Sequence, residues 1–179
     1  MKNVKQIFLD AVRQDKAIHI GVHIELNMMN RLLASSSARR AMAQTRSVAS
    51  TLASTTPTLW TTMSSTPLVP QGPKDRLVMN PAFSAIANAP HSAFIREQDT
   101  KVALISGITA SKCVKDTKED CESRGITPIM IMDSTDLSVM YDQATARNYD
   151  EFRGIAEMTW GKDCLTTYVT EVQQWVAEL

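Results

Sequence analysis

The sequence predicts a three-layer α/β/α domain built around a mainly parallel sheet. Short runs rich in Ile and Val, bounded by turn residues, alternate with segments of helical period. Parallel strands need crossover connections, and helical crossovers cover both sheet faces. A chain of 179 residues, 44% hydrophobic and 21% charged, suits one such core over 1–179.

Each element follows from local pattern. Val4, Ile7, Phe8 and Val12 fall on one face of a helix over residues 3–13. AIHIGVHI, residues 17–24, is short and β-branched, as a buried strand should be. Ala38, Ala41, Thr45, Val48, Ala49 and Leu52 recur three or four apart, predicting a helix over 36–54. Pro57 marks its boundary. TLWTTM is then a second strand, 64–74 a Pro-rich loop, and RLVM a third strand. Residues from Pro81 to Glu97 show mixed character. KVALIS, residues 101–106, is a fourth strand ended by Gly107. A helix follows over 111–124, stopped by Gly125 at its C′ position. TPIMIM is a fifth strand closed by Asp133, and 137–178 reads as helix broken near Gly161, with room for one more short strand.

Bulk composition narrows the function classes. Formal net charge is zero, so no global field favours nucleic acid or anionic membrane. No apolar run approaches the about 20 residues of a membrane helix, and the N-terminus lacks an apolar signal core. The three cysteines, odd in number and widely spaced, fit reduced thiols in a cytoplasmic setting. Between Glu25 and Asp75 there is no acidic residue, while Arg31, Arg39, Arg40, Arg46 and Lys74 lie there among Ser and Thr. This basic stretch, 26–74, is either a partner-facing surface or simply composition; its start after a strand argues against a transit peptide.

Ligands of open parallel sheets bind at the carboxyl ends of the strands. That rule singles out His23 at the carboxyl end of the first strand, Asn80 after the third, and Gly107 to Cys113 after the fourth. A cysteine in the first turn of a helix meets free N–H groups and the positive dipole end, which lower a thiol pKa and can hold an oxyanion. Cys113 is therefore either a nucleophile toward a carbonyl or a buried structural thiol.

The stretch SGITASKCVKDTKEDCESRGITPIMIMDS resembles the core of the isochorismatase-like hydrolases. The resembling positions are Gly107, the pair Ile108-Thr109 that makes a cis peptide in that family, Cys113-Val114, Thr117, Gly125 and Asp133. NPAFSAI and AIHIGVHIE are similar to two flanking family segments. The resemblance implies a six-stranded sheet of order 3-2-1-4-5-6 in a Rossmann-like fold, with the sixth strand inside the C-terminal region. It implies an oxyanion hole at Ile108, Thr109 and Cys113, and frequent homo-oligomers.

The family's Asp and Lys are replaced at the resembling positions by His23 and Asn80, leaving only Cys113 in place. The resemblance thus implies either a Cys113 hydrolase of a small amide or carbonyl compound, with His23 as base and Asn80 as hydrogen-bond donor, or a catalytically impaired pseudoenzyme. The latter would act as a binding or assembly module. TTMSSTPLVPQG has no His, Asp or Glu where nicotinamidases of the family carry a metal site, so neither metal nor other cofactor is expected.

Other residues have plainer roles. His19 inside the first strand is a core histidine with one hydrogen-bond partner. His91 is a loop residue. Cys121 is packing or a resolving thiol for Cys113. Trp60 is core or pocket wall, and Phe83 lines the pocket or packs in the core. Trp160 and Trp175 pack within the chain or at an oligomer interface. Met130 and Met132 belong to an adaptable interior.

Overall fold

The computed structural model describes residues 3–25, 36–62, 72–79, 82–136 and 149–179. Six strands form one all-parallel sheet of order β3-β2-β1-β4-β5-β6. They are β1 (Ala17–Glu25), β2 (Thr58–Thr62), β3 (Arg76–Met79), β4 (Val102–Gly107), β5 (Thr127–Thr135) and β6 (Leu165–Thr167). The helices are α1 (Val4–Arg13), α2 (Ser36–Leu52), α3 (Ala89–Glu97), α4 (Lys115–Ser123), α5 (Tyr149–Trp160) and α6 (Val169–Val176). The predicted three-layer architecture and strand order are those observed.

Alternation along the strands sorts the core into two layers. Ile18, Ile20 and Val22 of β1 join Ile105, Met130 and Met132 on one face, under Phe94 of α3, Cys121 of α4 and Trp160 of α5. Ala17, Leu104, Ile129 and Ile131 face the other way, against Phe8 of α1, Val48 and Leu52 of α2, and Trp175 of α6. Each fully buried Ile, Leu or Phe contributes about 1.5–3 kcal/mol relative to exposure. The central strand β4 is buried along its whole length, as a strand covered on both faces must be.

Several local expectations need correction. The segment before β4 contains a true helix, α3, whose first turn holds Pro90 and whose N-cap Asn88 accepts from the His91 N–H. His91 is thus a buried helix residue, not a loop residue. β5 does not close at Asp133 but runs on to Thr135, which pairs with Gly107 of β4. The helix after β4 opens as a π-helical turn, Ala110–Val114, before α4 begins. Trp160 and Trp175 are both buried within the chain. Among the described residues, no helix is long and apolar enough to cross a membrane.

Candidate active site

Because the strands are parallel, the end of β1, the loop after β4 and the end of β5 share one rim of the sheet. The register pairs Val22 with Gly107. The Ile108 N–H donates to the Val22 carbonyl at 3.0 Å. Gly107 adopts φ 124°, a conformation open to glycine and strained for other residues. The peptide bond between Ile108 and Thr109 is cis.

Cys113 sits in the π-helical turn that follows. π turns recur at functional sites, where they displace a side chain from the regular helical face. The turn is held from several sides. Ala110 donates its N–H to the Asp136 carbonyl at 2.9 Å and accepts the Trp160 indole N–H at 3.0 Å. Asp136 in turn donates its N–H to the Gly107 carbonyl at 2.8 Å. The Val114 N–H reaches back to the Thr109 carbonyl at 3.1 Å. Thr117 donates its hydroxyl to the Cys113 carbonyl at 2.6 Å and accepts the Ala85 N–H at 2.9 Å. This last pair ties the segment before α3 to the cysteine turn.

Nearby backbone N–H groups, those of Thr109 and of Cys113 itself, favour the thiolate. They do not win. Partial burial pushes the Cys113 thiol above its ordinary pKa, with the Asp116 carboxylate acting in the same direction and Lys112 against it. The expectation of a lowered thiol pKa is therefore corrected: the dipole argument holds for a wet helix end, and this sulfur is half-buried against the core.

The remaining predicted residues fall as follows. His23 lies in β1, directly after Val22, and its side chain is outside the described residues. Asn80 also lies outside them, one residue beyond β3. Trp60 packs in the core: it is 1% exposed, packs with Met42 and Ala49, and donates its indole N–H to Asp75 at 3.3 Å. Phe83 is not core: it is 60% exposed. His19 is a core histidine with two partners rather than one, Thr58 and Ser106. Cys121 is fully buried, its thiol pushed up to about 12 by desolvation, which fits packing and not thiol exchange. Cys164 is pushed to about 11 for the same reason.

Asp133 is half-buried and accepts the Val169 N–H at the start of α6 at 2.9 Å. No group of three metal-ligating side chains occurs among the described residues. The strand-end segment where a family metal would sit lies mostly outside them. An open groove of about 1070 Å³ lies near β6, lined by residues such as Asn3, Lys5, Arg153 and Cys164, none of which belongs to the cysteine turn.

A parallel sheet of this order, with a cysteine turn after its fourth strand, defines the isochorismatase-like α/β fold. Solved structures agree. N-carbamoylsarcosine amidase from Thermoplasma acidophilum is similar at TM-score 0.65 and 16% identity, over 86% of this chain and 96% of that one. A cysteine hydrolase from Pseudomonas syringae is similar at TM-score 0.67 and 14% identity, over 92% and 94%. The YcaC gene product of Escherichia coli, described as an octameric hydrolase of unknown specificity, is similar at TM-score 0.64 and 15% identity, over 93% and 81%. At such identities the likeness establishes the fold. No family model matches the chain, and no curated protein does.

Proposed function

We propose that this protein is a cysteine-dependent hydrolase of a small amide or related carbonyl compound, with Cys113 as nucleophile and His23 as base. The observation that carries this is the place of Cys113, in a turn at the rim of the sheet directly after β4 that is held by Asp136, Trp160 and Thr117. An oxyanion formed by attack at that sulfur would rest on the Thr109 and Cys113 backbone N–H groups, the donors that the resemblance implies. The raised thiol pKa makes a base necessary, and an imidazole suits that task near neutral pH.

In this mechanism His23 takes the Cys113 thiol proton as the sulfur attacks the carbonyl carbon. The resulting oxyanion rests on the two N–H groups. Collapse breaks the C–N bond, the departing amine takes the proton from His23, and a thioester remains. Water then adds to the thioester, with His23 again removing a proton, and the acid and the free thiol are released. Asn80 supplies a further hydrogen bond without the charge of a lysine. Isochorismate, an enol ether, would not form such a thioester and is not the substrate proposed. The E. coli neighbour's octamer supports a homo-oligomer for this chain as well.

A second reading has its own observation. A half-buried thiol with a raised pKa, at a site whose family Asp and Lys positions carry His23 and Asn80, suits a pseudoenzyme that binds a ligand or assembles without turnover. A screen of small amides with the native protein and Cys113→Ala separates the two. The hydrolase hydrolyses at least one amide and loses that turnover in the variant. Turnover that survives Cys113→Ala rules out the covalent route, and a Cys113 inert to thiol reagents until unfolding selects the pseudoenzyme.

A further inference from the structure

Behind the cysteine turn, on the opposite face of the sheet, runs a buried polar chain that packing alone does not require. His19 stands in the central strand β1, and its two ring nitrogens lie 3.2 Å from the Thr58 hydroxyl of β2 and 2.9 Å from the Ser106 hydroxyl of β4. The Thr45 hydroxyl of α2 lies 3.0 Å from Ser106 and 3.2 Å from the Ser134 carbonyl of β5. His19, Thr45, Thr58, Ser106 and Ser134 are all 0% exposed. Burial keeps His19 neutral, so one ring nitrogen donates and the other accepts.

One assignment agrees with every bond in this chain. Thr45 donates its proton between Ser106 and the Ser134 carbonyl, Ser106 donates to Nε2 of His19, and the Nδ1–H of His19 donates to the Thr58 hydroxyl. A leucine at 19 would fill similar space but could join none of these groups.

Both ends of the chain reach the loop that presents the Thr109 N–H. Ser106 is followed directly by Gly107, Ile108 and Thr109. Ser134 is followed by Thr135, which pairs with Gly107, and by Asp136, whose backbone binds the Gly107 carbonyl and the Ala110 N–H. We propose that His19 is a positioning residue for the candidate active site: by holding Ser106 and, through Thr45, the end of β5, it fixes the loop and turn that carry Cys113 and the Thr109 and Cys113 N–H groups. This rests on the reading of that N–H pair as the oxyanion site.

The test follows alkylation of Cys113 by iodoacetamide, read by peptide mass spectrometry so that Cys121 and Cys164 do not contribute. Rates are measured from about pH 6 to pH 10, because the thiolate is the reacting form. His19→Leu is expected to slow alkylation at neutral pH by about fivefold and to move the profile upward, as the loosened turn stabilises the thiolate less. His19→Gln, with a donor and an acceptor, recovers most of the rate. Val48→Ala, a buried truncation in α2 outside the chain, leaves the profile in place while lowering stability. If His19→Leu fails to fold, Ser106→Ala should give the same upward movement. A profile unchanged in His19→Leu or Ser106→Ala, or moved equally by Val48→Ala, overturns the proposal. Alkylation needs no turnover, so a failed amide screen sinks the hydrolase and leaves this result standing.

Discussion

The amide of Ile108 donates to the carbonyl of Val22 at 3.0 Å, which stitches the loop after β4 to β1 one residue before His23. The backbone of the candidate base and the backbone of the candidate oxyanion site are therefore held by neighbouring, hydrogen-bonded positions rather than by independent loops.

If His23 is the base, its loss should slow acylation of Cys113 without unfolding the chain. His23→Ala is expected to reduce the burst of nitrophenol from an activated nitrophenyl ester by about 10²- to 10⁴-fold, the usual reach of a positioned base. The acid limb of the pH–rate profile should move upward to the range of thiol ionisation, which then alone governs the rate. A burst of native size and pH dependence would remove His23 from the mechanism.

Thr117 makes a different prediction, about stability. Its hydroxyl donates to the Cys113 carbonyl and accepts the Ala85 N–H, and it is fully buried. Thr117→Val keeps the shape and removes both bonds, leaving a buried N–H and a buried carbonyl short of a partner. Such a loss costs about 1–3 kcal/mol. Urea unfolding should show the midpoint falling with an unchanged slope, and a variant as stable as the native protein would mean that water or a neighbour replaces the hydroxyl.

How far the fold was legible depended on segment length and composition. Strands β1 and β4 are apolar and β-branched, and their signal survives any reading frame. β6 has three residues with Leu165 its sole large apolar one, too few to show a period, so the local pattern left only room for a short strand and the family resemblance gave it its place in the sheet. α3 was hidden because its apolar positions are sparse, although Asn88 followed by Pro90 is a helix-start signal that could have revealed it. Cys113 was placed by topology and motif, but its protonation was not, because desolvation by chain-distant residues outweighs the local N–H groups. Trp160 was missed as a support of the site for the same reason: its bond to the Ala110 carbonyl spans 50 residues of sequence.

The two buried histidines each weaken the fold on acidification. His19 is lowered from 6.5 to about 3 by desolvation, against the raising effect of Asp75, and His91 is lowered chiefly by desolvation as well. Unfolding frees both rings to bind protons at their ordinary pKa. Between pH 6.5 and about 3 the unfolded chain therefore binds more protons than the folded one, and stability falls as pH falls. The stabilising contribution is fully present above 6.5 and is lost as pH drops toward the folded-state value. At about 1.4 kcal/mol per unit, His19 alone removes on the order of 3 kcal/mol between pH 7 and pH 4. Asp133, raised by desolvation, works in the opposite sense and softens the fall at the acid end. Unfolding free energies measured in urea across this range should decline steadily for the native protein, and His19→Gln, lacking a titratable ring, should decline less steeply. Equal slopes for the two proteins would mean that the ring at position 19 takes up a proton in the folded state and is not held neutral between Thr58 and Ser106.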